Sequence, residues 1–301
     1  KEALEARIKA MNEYNNTGRT FSPKDISVAD YLDYWLENAI KKNIGSGYSH
    51  NTYQDYESKI RVHFKPAFGM YRLSAFQYSP DIIQRWVDGL KISGLSKNMI
   101  NNTLICLQGA LNYAIHPLNY IQTNPCTFVK IGRMPENKER KKHREYICTK
   151  EEFSRILDRF PFDSNYYPAL IFPYHTGTRI GETFAINFLE DIDFKNHEIH
   201  IENQLVKIDK IWFFKSPKYE SRRTIKMGNT LESELKKLYQ LRRENQLRFG
   251  SHYLKTYVLP DNSIMQMRAD ISLPYKEIMP LCTKDNGEIL TPESFKYCSR
   301  V

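Results

Sequence analysis

The sequence predicts a mainly α protein with a small antiparallel sheet, built as a helical domain followed by an α+β domain. Three observations carry this reading. Before Asn124-Pro125, apolar residues recur at helical spacing in four successive segments, with no convincing strand alternation. Between Lys130 and Arg144 lies "KIGRMPENKERKKHR", poor in apolar residues and strongly basic, which reads as an exposed linker. Beyond it, helical spacing gives way to alternating stretches punctuated by turn residues. The length of 301 residues fits two domains of about 150 residues each. A hydrophobic content of 41%, with 13% aromatic, is enough to build cores and excludes a disordered chain.

The elements follow in order. Residues 1–26 are expected to form an N-terminal helical segment, and 27–132 a helical domain. Ser27 with Asp30 opens "SVADYLDYWLENAIKKN" as a variant capping box, and Val28, Tyr31, Leu32, Trp35, Leu36, Ala39 and Ile40 make its apolar face. "SHNTYQDYESKIRVHF" is a second helix, expected to stop around Pro66 and Gly69. A third helix has Ser79 as its cap, Pro80 at its first position and Gly94 after its end, and "SKNMINNTLICLQGALNYAI" is a fourth, closed near Pro117. The linker covers 133–146 and the second domain 147–301. There Thr149 and Glu152 make a capping box for a helix to about Phe160, an apolar helix ends at Gly177, and "RIGETFAI" restarts helical spacing. "HEIHIENQLVKI" reads as a strand turning at Asp209-Lys210 into "IWFFKSP", with "RRTIKM" as a short third strand. A helix ends at Gly250, an irregular part follows, and Thr291-Pro292 opens a last helix.

Composition narrows function. Lys plus Arg total 44 against 35 Asp plus Glu, a net charge of +9. That surplus favours a polyanionic partner. The stretch from Lys130 to Arg144 holds seven basic residues (Lys130, Arg133, Lys138, Arg140, Lys141, Lys142, Arg144) and two acidic ones, a net +5. It is either a solvated hinge or an arm along a phosphate backbone. No run approaches the ~18 apolar residues of a membrane span. The five cysteines are scattered, with no C-x-x-C, which fits reduced thiols in a cytoplasmic protein rather than a disulfide frame or zinc site. His197 and His200 lack the carboxylate or cysteine cluster of a metal site and read as strand-surface residues. Neither a Walker-type nor a G-x-G-x-x-G loop occurs, and no cofactor is expected.

One motif stands against local electrostatics. In "HTGTRIGETF", Arg179 follows a Thr-Gly-Thr bend in what reads as the first turn of a helix, where a cation meets the positive end of the dipole. The same place favours anions. Arg179 is therefore either a structural ion pair with Glu182, three residues on, or part of a phosphate site.

With "TGTRIGE" (Thr176 to Glu182), "LEDIDF" (Leu189 to Phe194), "SPKYESRRTIKM" (Ser216 to Met227) and "GEILTPESF" (Gly287 to Phe295), the chain resembles the tyrosine recombinase (phage integrase) family, of mobile-element integrase type. "NTYQDYESKI…HFKPAFG" and Asn124-Pro125 look like that family's helical core-binding, SAM-like domain. The resemblance spans residues 27 to 301 and implies a core-binding domain joined to an α+β catalytic domain, closing on double-stranded DNA. It implies site-specific strand cleavage and rejoining through a 3′-phosphotyrosine, without metal or nucleotide cofactor, because the covalent intermediate retains the ester's energy. It also implies a homo-oligomer, a tetramer on paired sites.

Carried over residue by residue, the resemblance makes Arg179 the first phosphate-binding arginine. A forked, permanently charged guanidinium suits the equatorial oxygens of the transition state. Glu182 becomes its support, or else a simple helix ion pair. Lys218, five residues before Arg223, becomes the general acid for the leaving oxygen, with Lys215 as the competing choice. Family members have Pro after the strand's Ile, whereas this chain has Lys226. Lys138, Arg140, Lys141, Lys142, Arg144, Arg222 and Arg223 are the candidate DNA-backbone contacts. The family's second box, His-x-x-Arg, does not occur, and no Gly-His with a following tyrosine is present. None of the 20 tyrosines follows such a box, so the nucleophile is expected to be absent and the catalytic domain to be incomplete at its C-terminal end. Three rival readings follow: an inactive DNA-binding remnant or regulator that occupies recombination sites, a type IB topoisomerase relative, and a purely structural helical scaffold.

Overall fold

A computed structural model describes residues 26–134 and 147–298. The chain divides into two compact units, residues 1–145 and 146–301. The expected N-terminal helix up to residue 25, and the linker candidates Lys138, Arg140, Lys141, Lys142 and Arg144, lie outside the described residues.

The first unit is helical. Helix α1 (Val28–Trp35) starts where the Ser27 hydroxyl accepts the Asp30 N–H at 3.0 Å. Its Val28, Tyr31, Leu32 and Trp35 turn inward, and the helix then widens into a π turn over Leu36–Ile40. Helix α2 (His50–Lys59) is capped in the same way by Ser49, widens over Ile60–Phe64, and continues as α3 (Lys65–Phe68). Pro66 therefore does not stop this helix; it ends at Gly69. The proline sits at the start of α3, just after the ladder changes register, where the Lys65 N–H already reaches back to Ile60, so its missing donor costs little there.

A short α4 (Leu73–Phe76), α5 (Pro80–Ile92) and the 19-residue α6 (Lys97–Ile115) complete the bundle. Tyr31, Phe64, Phe68, Phe76, Ile83 and Leu107 are fully or almost fully buried in its core. Each such large side chain contributes about 1.5–3 kcal/mol on burial. The Tyr31 hydroxyl, a polar atom that this core must satisfy, donates to the Ala110 carbonyl.

The second unit opens with α7 (Lys150–Arg159), whose capping box pairs Thr149 with Glu152 in both directions. Helix α8 (Tyr167–Thr176) ends at Gly177, which takes the left-handed φ of 64° that L side chains avoid. Helix α9 (Ile180–Thr183) is a single turn, shorter than the restart expected from the sequence. The strands are β1 (Ile192–Asp193), β2 (Glu198–Ile201), β3 (Gln204–Ile208), β4 (Ile211–Lys215) and β5 (Arg223–Lys226). The single strand expected from His197 to Ile208 is broken at Glu202-Asn203. Its first half pairs with β1 and β5 and its second half with β4, all antiparallel. Asp209 and Lys210, at φ 46° and 72°, form the β3–β4 turn.

Helix α10 (Asn229–Phe249) leads to a third antiparallel sheet, in the part expected to be irregular: β6 (Leu254–Val258), β7 (Ile264–Arg268) and β8 (Lys276–Ile278), with β6 in the middle. Lys255, Thr256, Gln266 and Glu277 break the apolar alternation in these strands. The last helix, α11 (Pro292–Cys298), starts at the expected proline. Ile199, Ile201, Leu205, Phe184, Leu235 and Leu281 lie in the core of this unit. Arg242 of α10 is buried without a carboxylate partner among the described residues, and instead donates to the carbonyls of Leu281, Thr283 and Lys284. No described helix is long and apolar enough to cross a membrane.

Candidate functional site

The Thr-Gly-Thr bend is built from hydroxyls. Thr176 Oγ1 donates to the Phe172 carbonyl at 2.8 Å, Thr178 Oγ1 lies 2.9 Å from both Thr176 Oγ1 and Thr183 Oγ1, and Thr183 reaches the Arg179 carbonyl at 3.2 Å. Together with left-handed Gly177, these bonds turn the chain out of α8 and leave Arg179 in an extended conformation, φ −69° and ψ 155°. Arg179 is thus the residue ahead of α9 rather than part of its first turn. The opposition to a helix dipole is correspondingly small, since only one turn follows.

Glu182 lies beneath it. Its side chain is 1% exposed, and both oxygens are occupied. Oε1 accepts Arg179 Nη1 at 2.7 Å, while Oε2 accepts the Arg179 backbone N–H at 2.9 Å and Arg223 Nη2 at 2.8 Å. Burial alone would raise the carboxyl's pKa. The hydrogen bonds from Arg223 and from the backbone and side chain of Arg179 outweigh it and hold the pKa at about 2. The Arg179 side chain is 55% exposed, so one face of its guanidinium meets solvent, whereas Arg223 is 33% exposed and its Nη1 is turned to the Ser221 carbonyl at 3.4 Å.

The candidate lysines are on the β4–β5 connection. Lys215 ends β4, opposite Gln204, and Lys218 begins the turn after Pro217; both are exposed. Tyr219 and Glu220 take left-handed φ values of 61° and 50°, an uncommon conformation for residues other than glycine. Gln204 Nε2 donates to the Ser216 carbonyl at 2.7 Å and so holds the start of this loop to β3. Arg222 donates to Ser216 Oγ at 3.0 Å and stands 3.8 Å from the carboxylates of Glu202 and Glu220. Among the described residues, no hydrogen bond or ion pair joins Lys218 to Arg179, Glu182 or Arg223.

The structure thus brings Arg179, Glu182 and Arg223 together and leaves Lys218 on a neighbouring exposed loop. Sequence reasoning does not reach the Arg223–Glu182 pair, which joins residues 41 positions apart, or the role of Gln204. Gly181 offers a signal for the packing, since a glycine inside a helical pattern marks close approach. His197, at φ 55° in the turn before β2, places Nδ1 2.6 Å from Glu232 Oε2, and His200 Nδ1 lies 3.1 Å from Thr224 Oγ1. No cluster of three or more potential metal ligands occurs among the described residues.

Residues 27–91 match the family described as phage integrase, N-terminal SAM-like domain. No curated protein matches the chain. Among solved structures, the Tn1549 transposon integrase in complex with transposon right end DNA superposes at a TM-score of 0.64 with 18% identity, over 91% of this chain and 77% of that one. The same integrase in complex with circular intermediate DNA gives 0.62 and 19%, over 91% and 77%. A lambda integrase dimer bound to a COC′ core site gives 0.58 and 15%, over 99% and 70%. At these identities the likeness establishes the fold: an integrase SAM-like domain followed by the integrase type of catalytic domain.

Proposed function

We propose that this chain, a tyrosine-recombinase type of integrase by its SAM-like domain and its fold, acts as a site-specific recombinase on double-stranded DNA. One observation in the catalytic unit carries the reading. Glu182 is buried with both oxygens bonded, yet the Arg179 that it orients faces solvent. An arginine held rigidly by a buried carboxylate, with its fork left open, is preorganised for an oxyanion. A phosphodiester is the oxyanion that the integrase fold and a net charge of +9 favour. The solved relatives with this fold are described as complexes with DNA, which supports the same partner.

The mechanism assigns one task to each group. Arg179 binds the non-bridging oxygens of the scissile phosphate and offsets the charge that grows on them as a nucleophile attacks. Glu182 fixes the guanidinium. Lys218, at the head of its loop, delivers a proton to the leaving 5′-oxygen; Lys215 has the same chemistry but is tied into β4. The basic stretch of residues 133–146 tracks the phosphate backbone between the core-binding unit (residues 27–132) and the catalytic unit. The attacking tyrosine is not among these 301 residues, because none of their 20 tyrosines follows a His-x-x-Arg box. The residues assigned here account for the phosphate grip and the proton donor of the reaction, with no tyrosine assigned as nucleophile. Oligomerisation on paired sites belongs to the same proposal.

The test is to combine the chain with nicked duplex DNA and measure both binding and covalent capture. The expected result is salt-dependent duplex binding with no protein–DNA adduct. An adduct would place a nucleophile within the chain, and salt-insensitive or absent binding would overturn the DNA reading. Relaxation of a random supercoiled plasmid would instead identify a topoisomerase.

A further inference from the structure

We infer that Arg223 is a positioning residue: it acts on Arg179 through Glu182 and does not itself touch phosphate. The inference rests on the reading of Arg179 as a phosphate ligand and departs from the expectation that Arg223 is a DNA-backbone contact.

The geometry separates the two arginines. Arg223 leaves β5 and is two-thirds buried; one Nη ends on Glu182 Oε2 and the other on the Ser221 carbonyl. Both tips of its fork are therefore used within the chain. Arg179 spends one Nη and its backbone N–H on Glu182, and its side chain is more than half exposed.

Charge gives the reason for a second cation. Paired with Arg179 alone, the buried carboxylate would weaken that arginine's pull on the phosphate without removing the contact itself. With Arg223 added, one anion faces two cations and the cluster keeps a net +1, on the arginine that faces solvent. A carboxylate has about four acceptor positions. Three are filled here, two by Arg179 and one by Arg223, which leaves Glu182 little freedom to rotate. Because Arg223 is on β5 and Glu182 on α9, the ion pair also ties the arginine turn to the strand that follows the Lys218 loop. Removing Arg223 would open one acceptor position on Glu182 Oε2 and loosen the grip on Arg179.

The test uses the whole chain and three variants, Arg223→Ala, Arg223→Lys and Arg179→Ala. Two quantities are measured: the titration of the Glu182 carboxyl by carbon NMR, and the slope of log affinity against log salt for a random-sequence duplex. The expected result is that Arg223→Ala raises the Glu182 midpoint clearly above about 2 and keeps the wild-type salt slope. Arg223→Lys, which keeps the charge, should hold the midpoint low and also keep the slope. Arg179→Ala should lower the slope by about 0.9, the value of one neutralised phosphate. Should Arg223→Ala fail to fold, Arg223→Gln, which removes the charge but keeps an amide donor for Glu182, decides by its slope between a phosphate ligand and an internal one. A fall of about 0.9 in the slope of any Arg223 variant, or an unmoved Glu182 midpoint in Arg223→Ala, overturns the assignment. A wild-type chain without salt-dependent binding overturns the DNA reading itself, and the positioning role with it, whatever Glu182 does.

Discussion

A Cβ placed on Gly181 would stand 3.3 Å from the carbonyl oxygen of Leu205, so α9 and β3 meet backbone to backbone. This close approach seats the turn that presents Arg179. Gly181→Ala sets two effects against each other. Alanine is the better helix former by about 1 kcal/mol, but the neighbour is strand backbone and cannot step aside. Overpacking of this kind costs about 1–3 kcal/mol. Net destabilisation is expected, read as a lower Tm in thermal unfolding; a Tm at or above wild type would mean that the turn is not seated on β3.

Gln204, next to Leu205 on the same strand, also lies beside Gly181. Its amide to the Ser216 carbonyl at 2.7 Å is the tie that holds the Lys218 loop to β3. Gln204→Ala should cost about 1 kcal/mol. It should also speed amide exchange over residues 216–221 while leaving α7 and α10 at their wild-type rates. Exchange spread evenly over the unit would show that the amide has no local role.

Glu182 should make stability fall in acid. Its folded pKa, about 2, is below the ordinary 4.5. Its contribution is therefore fully present above pH 4.5 and is lost as the pH falls toward 2. The full shift would correspond to at most about 3 kcal/mol, less what solvent screening removes at Arg179, which is half exposed. Comparing wild type with Glu182→Gln by denaturant unfolding should give a gap that is constant above about pH 5 and shrinks below 4.5. A gap independent of pH would mean that the carboxylate's charge is not what stabilises.

The thiols should separate by burial. Cys106, Cys126 and Cys282 are buried, and desolvation pushes each thiol up to about 12, whereas Cys148 is exposed. Alkylation of the native chain at neutral pH, mapped by mass spectrometry, should modify Cys148 first and reach the three buried thiols only on unfolding. Early labelling of Cys282 would contradict the packing of the second unit.

The linker prediction comes from charge alone. Neutralising Lys141 and Lys142 together should flatten the salt dependence of duplex binding by about 0.9 for each phosphate that these lysines pair with. An unchanged slope would mean that the linker stays in solvent.

Much of the helical architecture is legible residue by residue. Ser27 and Thr149 cap the helices that they open in the sequence, because a hydroxyl three residues before a free N–H is a local event, whereas Ser79, expected to cap α5, stands at its start without a side-chain cap bond. Gly177 and the Asp209-Lys210 turn are legible for the same reason: the φ each needs is set by its own residue or its neighbour. Pro66 misleads because the π turn ahead of it has already changed the register. The sheet from Leu254 to Ile278 escapes sequence reasoning because its strands mix Lys, Thr and Gln with apolar residues and so lack a clean period of two.

By itself the sequence determined the two-part division, the helices and their caps, the candidate status of Arg179 and Lys218, and the excess of positive charge. All of these depend on residues near one another in the chain, or on totals. Only the tertiary structure decided that β2 and β3 separate into different sheets, that Gln204 holds the Lys218 loop, and that Arg223 ends on Glu182. Those hydrogen bonds join residues 12 to 41 positions apart. They are selected by which buried charge finds a partner and which backbone can approach, and neither is written in local spacing.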